Sequence, residues 1–304
     1  MTIGMIGLGH MGGAMARRLI DKGRSVIGYD VAAHATAQFA DAGGAIAASP
    51  REIADNADIV LACLPGKQAS FDTAFGAQGI VHGSRVKTYV EMSTLGRASI
   101  ATIAGKLADA GIGFLDAPIS GGPKAAAVGS LTAIVAGPKA GIDATREVLE
   151  LFAANVFVVG DTPGMAQVCK LVNNILSITA FVTSCEAITM GVKAGLDART
   201  MIDVINVSTG RNSATVDKFP KAILPRSFDY GGPLAIGLKD IDLYLELARD
   251  THMPAVMGFS VSGLFNHIAA RLGAEADYST MIKVFEEWGD VVVGDQQAQA
   301  PTLG

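Results

Sequence analysis

The chain has 304 residues, half of them hydrophobic, and a formal net charge of −5 at pH 7. This hydrophobic content excludes a wholly disordered or fibrous protein, and the length predicts two domains. The negative charge and the lack of a basic run argue against a nucleic-acid partner, because phosphate binding depends on clustered lysine and arginine. Three cysteines in apolar stretches give no disulfide framework and favour the cytoplasm.

The first half of the chain alternates short β-rich runs with helical segments. Seven runs are predicted as strands, over residues 3–6, 25–29, 59–64, 86–91, 113–116, 131–136 and 156–159. Helical periodicity fills most of the intervals between them, for example over 12–22 and 100–110. Such alternation predicts a parallel sheet covered by helices on both faces, a doubly wound Rossmann-type α/β domain over residues 1–162.

The second half is predicted to be an all-α domain over residues 163–290, entered through one long helix. Apolar residues surround this helix, which predicts burial on all sides. Its segment 171–191 is apolar enough to raise the question of a membrane span, but Asn173, Asn174 and Glu186 would be costly in hydrocarbon, so we expect no membrane association. Further helices are predicted over 198–207, 214–224, 237–250, 255–272 and 280–288. Residues 291–304 are predicted to form a flexible tail.

A glycine-rich turn follows the first predicted strand and opens a helix, with the sequence Gly7-Leu8-Gly9-His10-Met11-Gly12. In dinucleotide-binding folds the first glycine permits a tight turn, the second lets the pyrophosphate approach the backbone, and the third allows close helix–strand packing. Asp30 follows about twenty residues later, where a carboxylate can accept hydrogen bonds from the adenosine ribose. Since a carboxylate there repels the 2′-phosphate of NADP, the sequence favours NAD. A turn that serves packing alone is the alternative.

Two further stretches place polar groups in apolar surroundings. Ser120, Gly121 and Gly122 follow a strand and a proline, and backbone N–H groups there could bind a carboxylate, although a structural loop is equally compatible. On the long helix Lys170 and Asn174 are four residues apart and share a face. A lysine on an apolar helix must reach solvent, find a partner or lower its pKa, and the helix alone favours a lysine that reaches solvent.

Four motifs occur in an order that resembles the β-hydroxyacid dehydrogenases, a family that includes 3-hydroxyisobutyrate dehydrogenase and tartronate semialdehyde reductase. They are the glycine fingerprint, Asp-Ala-Pro-Ile-Ser-Gly-Gly at 116–122, Gly-Met-Ala-Gln-Val-Cys-Lys-Leu-Val-Asn-Asn at 164–174, and Gly-Leu-Lys-Asp at 237–240. The resemblance spans roughly residues 2–288. It implies a Rossmann domain, a helical domain and assembly into homodimers or homotetramers.

The resemblance also implies roles for individual residues. Lys170 would be the catalytic acid/base, and Asp240 would orient the segment that carries Lys239. The residues implied in binding the substrate carboxylate or closing over the substrate are Ser120, Gly121, Gly122, Asn174 and Lys239. Those implied in binding NAD are Gly7, Leu8, Gly9, His10, Met11, Gly12, Asp30, Leu64, Pro65, Thr94 and Lys239. Arg211 and Asn212 are candidates for substrate selection, with a solvated loop as the alternative.

The implied reaction is NAD-dependent hydride transfer between the cofactor and a small 3-hydroxy acid or its semialdehyde, such as 3-hydroxyisobutyrate or 2-hydroxy-3-oxopropionate. A base must be neutral, so we expect burial and Lys239 to lower the pKa of Lys170. The alternatives are an NADPH-dependent semialdehyde or imine reductase, against which Asp30 and Lys170 argue, a decarboxylating sugar-phosphate dehydrogenase and a non-catalytic NAD-binding module. The histidine spacing predicts no metal site.

Overall fold

The computed structural model describes residues 1–295, which form two compact units, the first comprising Met1–Lys170 and the second beginning at Leu171. The division falls inside the long helix rather than in the turn before it. The start of that helix packs in the first unit, where Ala166 contacts the buried Ile134 and Ala136.

Nine strands form one sheet in the first unit. They are β1 (Thr2–Ile6), β2 (Ser25–Tyr29), β3 (Ala45–Ile46), β4 (Ile59–Ala62), β5 (Thr88–Glu91), β6 (Gly113–Asp116), β7 (Ile119–Ser120), β8 (Leu131–Ala136) and β9 (Ala153–Gly160). Their order is β3-β2-β1-β4-β5-β6-β8-β7, with β9 paired to β8. Strands β1 to β6 are parallel, as predicted, but β8 is antiparallel to both β6 and β7. The connection from β7 to β8 is too short for a full crossover, so this pair is antiparallel.

Helices cover both faces of the sheet. Those of the first unit are α1 (His10–Asp21), α2 (Ala33–Asp41), α3 (Pro50–Asn56), α4 (Lys67–Phe75), α5 (Arg97–Asp109), α6 (Gly122–Val128) and α7 (Lys139–Glu150). Successive residues of a strand point to opposite faces. Accordingly, Leu61 of β4 lies in one hydrophobic cluster, while Val60 and Ala62 lie in another. The predicted two-sided α/β domain is therefore confirmed.

The regular elements among the described residues of the second unit are helices and helical turns. It contains most of α8 (Met165–Lys193), α9 (Ala198–Asn206), a π-helix (Ala214–Ile223), α10 (Leu234–Asp250), α11 (Val256–Leu272), a 3₁₀ turn (Tyr278–Met281) and α12 (Ile282–Gly289). Its core includes the fully buried Phe181, Phe219 and Phe265. Pro220 lies inside the π-helix and cannot donate a backbone hydrogen bond, which accounts for the wider turn.

Helix α8 has two different apolar faces in the single chain. Ile175, Ile178 and Phe181 are buried in the core of the second unit. Leu176 and Met190, in contrast, are each 66% exposed. The prediction of burial on all sides was therefore wrong for the isolated chain. The helix is long and apolar enough to cross a membrane, but its buried face identifies it as a core helix.

The segment predicted as a flexible tail is anchored at its start. Val293 is fully buried, and its carbonyl oxygen accepts a hydrogen bond from Arg226 at 3.1 Å. Arg199 also pairs with Asp295. Residues 291–295 thus belong to the folded unit, because an apolar side chain and two arginines hold them. The remainder of the predicted tail, 296–304, lies outside the described residues.

Candidate active site

The glycine fingerprint forms the turn between β1 and α1 with little room for side chains. Gly7 has a φ of +85°, and a β-carbon there would lie 2.2 Å from the carbonyl oxygen of Cys63. A β-carbon on Gly12 would lie 1.8 Å from the carbonyl oxygen of Gly7. A β-carbon on Gly9 would meet no protein atom within 4 Å. Two glycines are thus required by packing, and the third leaves space in front of the backbone.

A cavity of about 730 Å³ opens at this turn, a size typical of a ligand site. Predicted cofactor residues that line it are Gly7, Gly9, His10, Met11, Gly12, Asp30, Leu64 and Pro65. Leu8, Thr94 and Lys239 do not line it. The sequence prediction missed other lining residues, among them Tyr29, Val31 and Thr73. The first of these ends β2 and the second follows Asp30, so their proximity to the fingerprint depends on β1 pairing with β2.

Asp30 is held by two backbone hydrogen bonds. One carboxylate oxygen accepts from the backbone N–H of Leu8 at 2.6 Å, and the other accepts from that of Ala32 at 2.8 Å. Each carboxylate oxygen can accept a further bond. Together with the open space at Gly9 and the start of α1, this geometry fits a dinucleotide with its pyrophosphate at the helix N-terminus and its ribose hydroxyls near Asp30.

Glu91 is linked by hydrogen bonds to the loops that follow β4 and β5, and it was not identified from the sequence. It is fully buried at the end of β5, and its carboxylate accepts a hydrogen bond from the backbone N–H of Ser93 at 3.0 Å. The hydroxyl of Ser93 accepts in turn from the backbone N–H of Leu64 at 2.7 Å. Burial raises the pKa of Glu91 to about 7. A single acidic residue at the end of an apolar strand was the available signal.

The raised pKa of Glu91 makes stability depend on pH. Between its usual pKa of 4.5 and about 7 the folded state holds a proton that the unfolded state releases, so this contribution is complete below pH 4.5 and is lost as pH rises through about 7. We expect the free energy of unfolding of Glu91→Gln, minus that of wild type, to increase by about 2–3 kcal/mol from about pH 5 to about pH 8, as measured by urea unfolding. Glu150→Gln, at an exposed position, is the matched control. A difference in unfolding free energy between Glu91→Gln and wild type that is the same at both pH values would contradict the raised pKa of Glu91.

A buried network fixes the first turn of α8. Asp116, at the end of β6, accepts hydrogen bonds from the backbone N–H groups of Gly164 at 2.9 Å and Gln167 at 3.1 Å, and from the Gln167 side chain at 2.7 Å. Gln167 also accepts from the backbone N–H groups of Leu95 and Gly96 at 2.9 and 3.1 Å. Burial raises the pKa of Asp116 to about 6. This network was also missed in the sequence.

Lys170 lies almost one helical turn after Gln167 and is the last residue of the first unit. It is only 7% exposed, whereas the neighbouring Cys169 is exposed. The lysine therefore does not reach solvent in the way that the helix pattern alone favoured. Since Gln167 and Asp116 anchor the preceding turn, the backbone that carries Lys170 is held rigidly.

The predicted carboxylate-binding turn lies between β7 and α6. Ser120 ends β7, and Gly121 and Gly122 have φ values of +133° and +77°. A β-carbon at Gly121 would lie 2.9 Å from that of Ala125, so glycine is required there. These three residues line neither the dinucleotide cavity nor the cavity of the second unit described below.

In the second unit, Asn174, Asp240 and Lys239 form one cluster. The side-chain amide of Asn174 donates to the carboxylate of Asp240 at 2.6 Å, and the ammonium of Lys239 donates to its other oxygen at 2.8 Å. Asp240 thus joins two predicted site residues from α8 and α10. Asn212, in contrast, accepts from the backbone N–H of Ala214 at 2.8 Å and has a structural role at the start of the π-helix.

A second cavity, of about 200 Å³, lies within the second unit. Asn174 and Asp240 line it together with Ser177, Tyr230 and a lysine that the sequence prediction missed, Lys218. The position of Lys218 on an amphipathic helical segment did not indicate burial, yet this lysine is only 7% exposed.

Comparisons with known proteins agree with this organisation. Residues 2–160 match the family described as the NAD binding domain of 6-phosphogluconate dehydrogenase, and residues 164–285 match the NAD-binding family of NADP-dependent 3-hydroxyisobutyrate dehydrogenase. The mitochondrial 3-hydroxyisobutyrate dehydrogenase of Mus musculus is 31% identical over 94% of this chain and 87% of its own. The 2-(hydroxymethyl)glutarate dehydrogenase of Eubacterium barkeri is 32% identical over 98% and 99%. The chain belongs to the β-hydroxyacid dehydrogenase family.

A solved structure supports the same assignment. The 3-hydroxyisobutyrate dehydrogenase of Mycobacterium tuberculosis with L-serine has a TM-score of 0.84 and 28% identity, covering 93% of this chain and 98% of that one. This β-hydroxyacid dehydrogenase is therefore an NAD-binding oxidoreductase of hydroxy acids with a Rossmann domain and a helical domain, as the motifs predicted.

Proposed function

We propose that this enzyme oxidises a small 3-hydroxy acid with NAD, or reduces the corresponding semialdehyde, and that Lys170 is the general acid/base. The observation that carries the proposal is a buried lysine on an anchored helical turn, four residues before an asparagine whose amide is oriented by Asp240. Buried lysines are uncommon, and such a group beside a cofactor-binding fold is a candidate for proton transfer.

In the oxidative direction, the neutral amine of Lys170 would accept the proton of the substrate hydroxyl. NAD supplies the hydride acceptor when bound, at C4 of its nicotinamide. In the reductive direction the ammonium of Lys170 would return a proton to the aldehyde oxygen. Burial favours the neutral form of a lysine, as a base at neutral pH requires.

The substrate carboxylate would be bound by groups that donate hydrogen bonds. We assign this role to the hydroxyl of Ser120 and the backbone N–H groups of Gly121 and Gly122, together with the amide of Asn174. Lys239 would add positive charge near the carboxylate and the nicotinamide. Its pairing with Asp240 holds the ammonium on the second turn of α10.

For the cofactor, we propose a preference for NAD over NADP. The carboxylate of Asp30 is fixed at the dinucleotide cavity, and residues 31–40 contain neither lysine nor arginine to bind a 2′-phosphate. Because one matching family is described as NADP-dependent, an NADP-dependent semialdehyde reductase is the second candidate.

The substrate class follows from the relatives. 3-Hydroxyisobutyrate, 2-(hydroxymethyl)glutarate and L-serine, named for the related proteins above, each carry a hydroxymethyl group on the carbon next to a carboxylate. We therefore propose a 2-substituted 3-hydroxypropionate as the substrate. The substituent at C2 would distinguish one member of the family from another.

An assay of reduced-cofactor formation tests this proposal. We expect turnover of at least one of these three acids with NAD, and a kcat/KM at least about tenfold lower with NADP, as expected from charge repulsion at Asp30. The Asp30→Asn variant should have a smaller ratio of kcat/KM with NAD to kcat/KM with NADP. Asp41→Asn, at the end of α2, is the control and should keep the wild-type ratio. No turnover of any of the three acids with either cofactor would contradict the proposal, and a preference for NADP would support the second candidate.

We also propose that two or four copies assemble in the cytoplasm. The exposed apolar side chains of Val172, Leu176 and Met190 follow one face of α8, and a second copy of the chain would remove them from water. The three cysteines are free thiols, in keeping with a reducing compartment.

A further inference from the structure

Lys218 is a buried cation in the small cavity of the second unit. It lies on the π-helix, is only 7% exposed, and lines the cavity together with Asn174. Its ammonium nitrogen lies 5.5 Å from the ring centre of Phe181 and 5.3 Å from that of Tyr230. Among residues 1–295 no hydrogen-bond acceptor pairs with this ammonium, so its described contacts are cation–π contacts with ring faces.

The acidic groups nearby are engaged elsewhere. Asp217 accepts a hydrogen bond from the Tyr230 hydroxyl and pairs with Lys221. Asp240, which lines the same cavity, is bound by Asn174 and Lys239. Burial lowers the pKa of Lys218, and the charge of Asp217 opposes that shift. The cavity therefore holds a positive charge whose hydrogen-bonding capacity is not used by an acceptor of the protein.

We propose that Lys218 binds a second anionic group of the substrate, a carboxylate on the C2 substituent, and so selects dicarboxylic 3-hydroxy acids. The inference rests on the proposed function for the reacting end of the molecule. Asn174 connects the Lys218 cavity with the proposed site for the first carboxylate, because it lines this cavity and is also assigned to that site. Charge-assisted hydrogen bonds to a desolvated ammonium are strong, whereas a neutral substituent would offer that ammonium only an uncharged, weaker acceptor or none.

Ser177 and Tyr278 add hydroxyl groups to the cavity lining. Tyr278 stacks on Phe181 with 5.3 Å between ring centres, so the wall beside Lys218 is rigid and aromatic. A short carboxyalkyl arm suits this lining, since its methylene groups would contact the rings and its carboxylate would reach the ammonium. A purely structural role for Lys218 in packing against Phe181 and Tyr230 predicts no dependence on substrate charge.

The test compares two substrates that differ only in that charge, namely 2-(hydroxymethyl)glutarate and its analogue with the distal carboxylate replaced by a carboxamide. We expect wild type to prefer the diacid about 10–100-fold in kcat/KM, the range of a charge-assisted hydrogen bond. Lys218→Met should reduce this ratio to about one. Lys221→Met, on the same helix but exposed and outside the cavity lining, should retain it. Equal use of the two substrates by wild type would overturn the inference even if Lys218→Met fails to fold.

Equilibrium binding separates this inference from the proposed function. Isothermal titration of glutarate into the NAD-saturated enzyme requires no turnover. We expect affinity at least about tenfold weaker for Lys218→Met than for wild type and Lys221→Met. If no acid is turned over but glutarate binding depends on Lys218, the proposed function fails and the anion site stands. Glutarate binding that is equal in wild type and Lys218→Met, or absent from wild type, overturns the anion site.

Discussion

Replacing Lys170 by alanine is expected to lower kcat by a factor of about 10²–10⁴ or more, the range of general acid–base catalysis, while NAD binding is preserved. The side chain is buried, and the residues that line the dinucleotide cavity do not include it. Steady-state kinetics together with titration of NAD into the variant measure both effects. Lys193→Ala, at the exposed end of the same helix, is the matched control.

Chemical rescue distinguishes a lost proton carrier from a disturbed fold. The alanine variant leaves a small space, and a primary amine such as methylamine could occupy it and restore part of the turnover. We expect rescue to increase with the concentration of the neutral amine and to be absent from the Lys193→Ala enzyme. Near-normal turnover of Lys170→Ala without added amine would refute the assignment of Lys170.

The second large effect is expected at Gly12. Its β-carbon would lie 1.8 Å from the carbonyl oxygen of Gly7 and 2.8 Å from the methyl carbon of Met5, so Gly12→Ala must move the backbone of α1 or β1. Overpacking of this kind costs about 1–3 kcal/mol and more where backbone atoms cannot give way. We expect Gly12→Ala to lose about 3 kcal/mol of unfolding free energy, measured by denaturant titration, together with most of its NAD affinity.

Gly9 provides the matched comparison, because a β-carbon there meets no protein atom and its φ of −65° is accessible to alanine. Gly9→Ala should keep wild-type stability within about 0.5 kcal/mol, as for other substitutions without steric conflict, yet bind NAD at least about tenfold more weakly. Equal stability of the two variants would contradict the packing role of Gly12, and wild-type NAD affinity of Gly9→Ala would contradict the position of the pyrophosphate.

Features with a local cause could be predicted from the sequence. The fingerprint from Gly7 to Gly12 follows from a strand, a turn and a helix that are contiguous, and the alternation of strands with helices predicted the two-sided domain. The arrangement around Gln167 could not be predicted in this way, because its partner Asp116 is 51 residues away. Only the packing of β6 against the start of α8 brings them together.

The burial of single charged residues was the other feature that could not be predicted from the sequence. Lys218 resembles an ordinary solvated residue in the sequence, and the burial of both Glu91 and Lys218 depends on segments that fold over them. Helix α8 shows the converse case, since apolar periodicity predicts that Leu176 avoids water but does not say which surface covers it. The surroundings of such residues depend on tertiary contacts, which the sequence pattern does not contain.

A crystal structure of the enzyme with NAD and a bound hydroxy acid tests the assignment of the base most directly. We expect the Lys170 nitrogen within about 2.6–3.2 Å of the substrate hydroxyl oxygen, the distance needed for proton transfer, with the hydrogen-bearing carbon facing C4 of the nicotinamide. A complex in which that nitrogen lies beyond hydrogen-bond reach, with no bridging water and another side chain on the hydroxyl, would contradict the proposed mechanism.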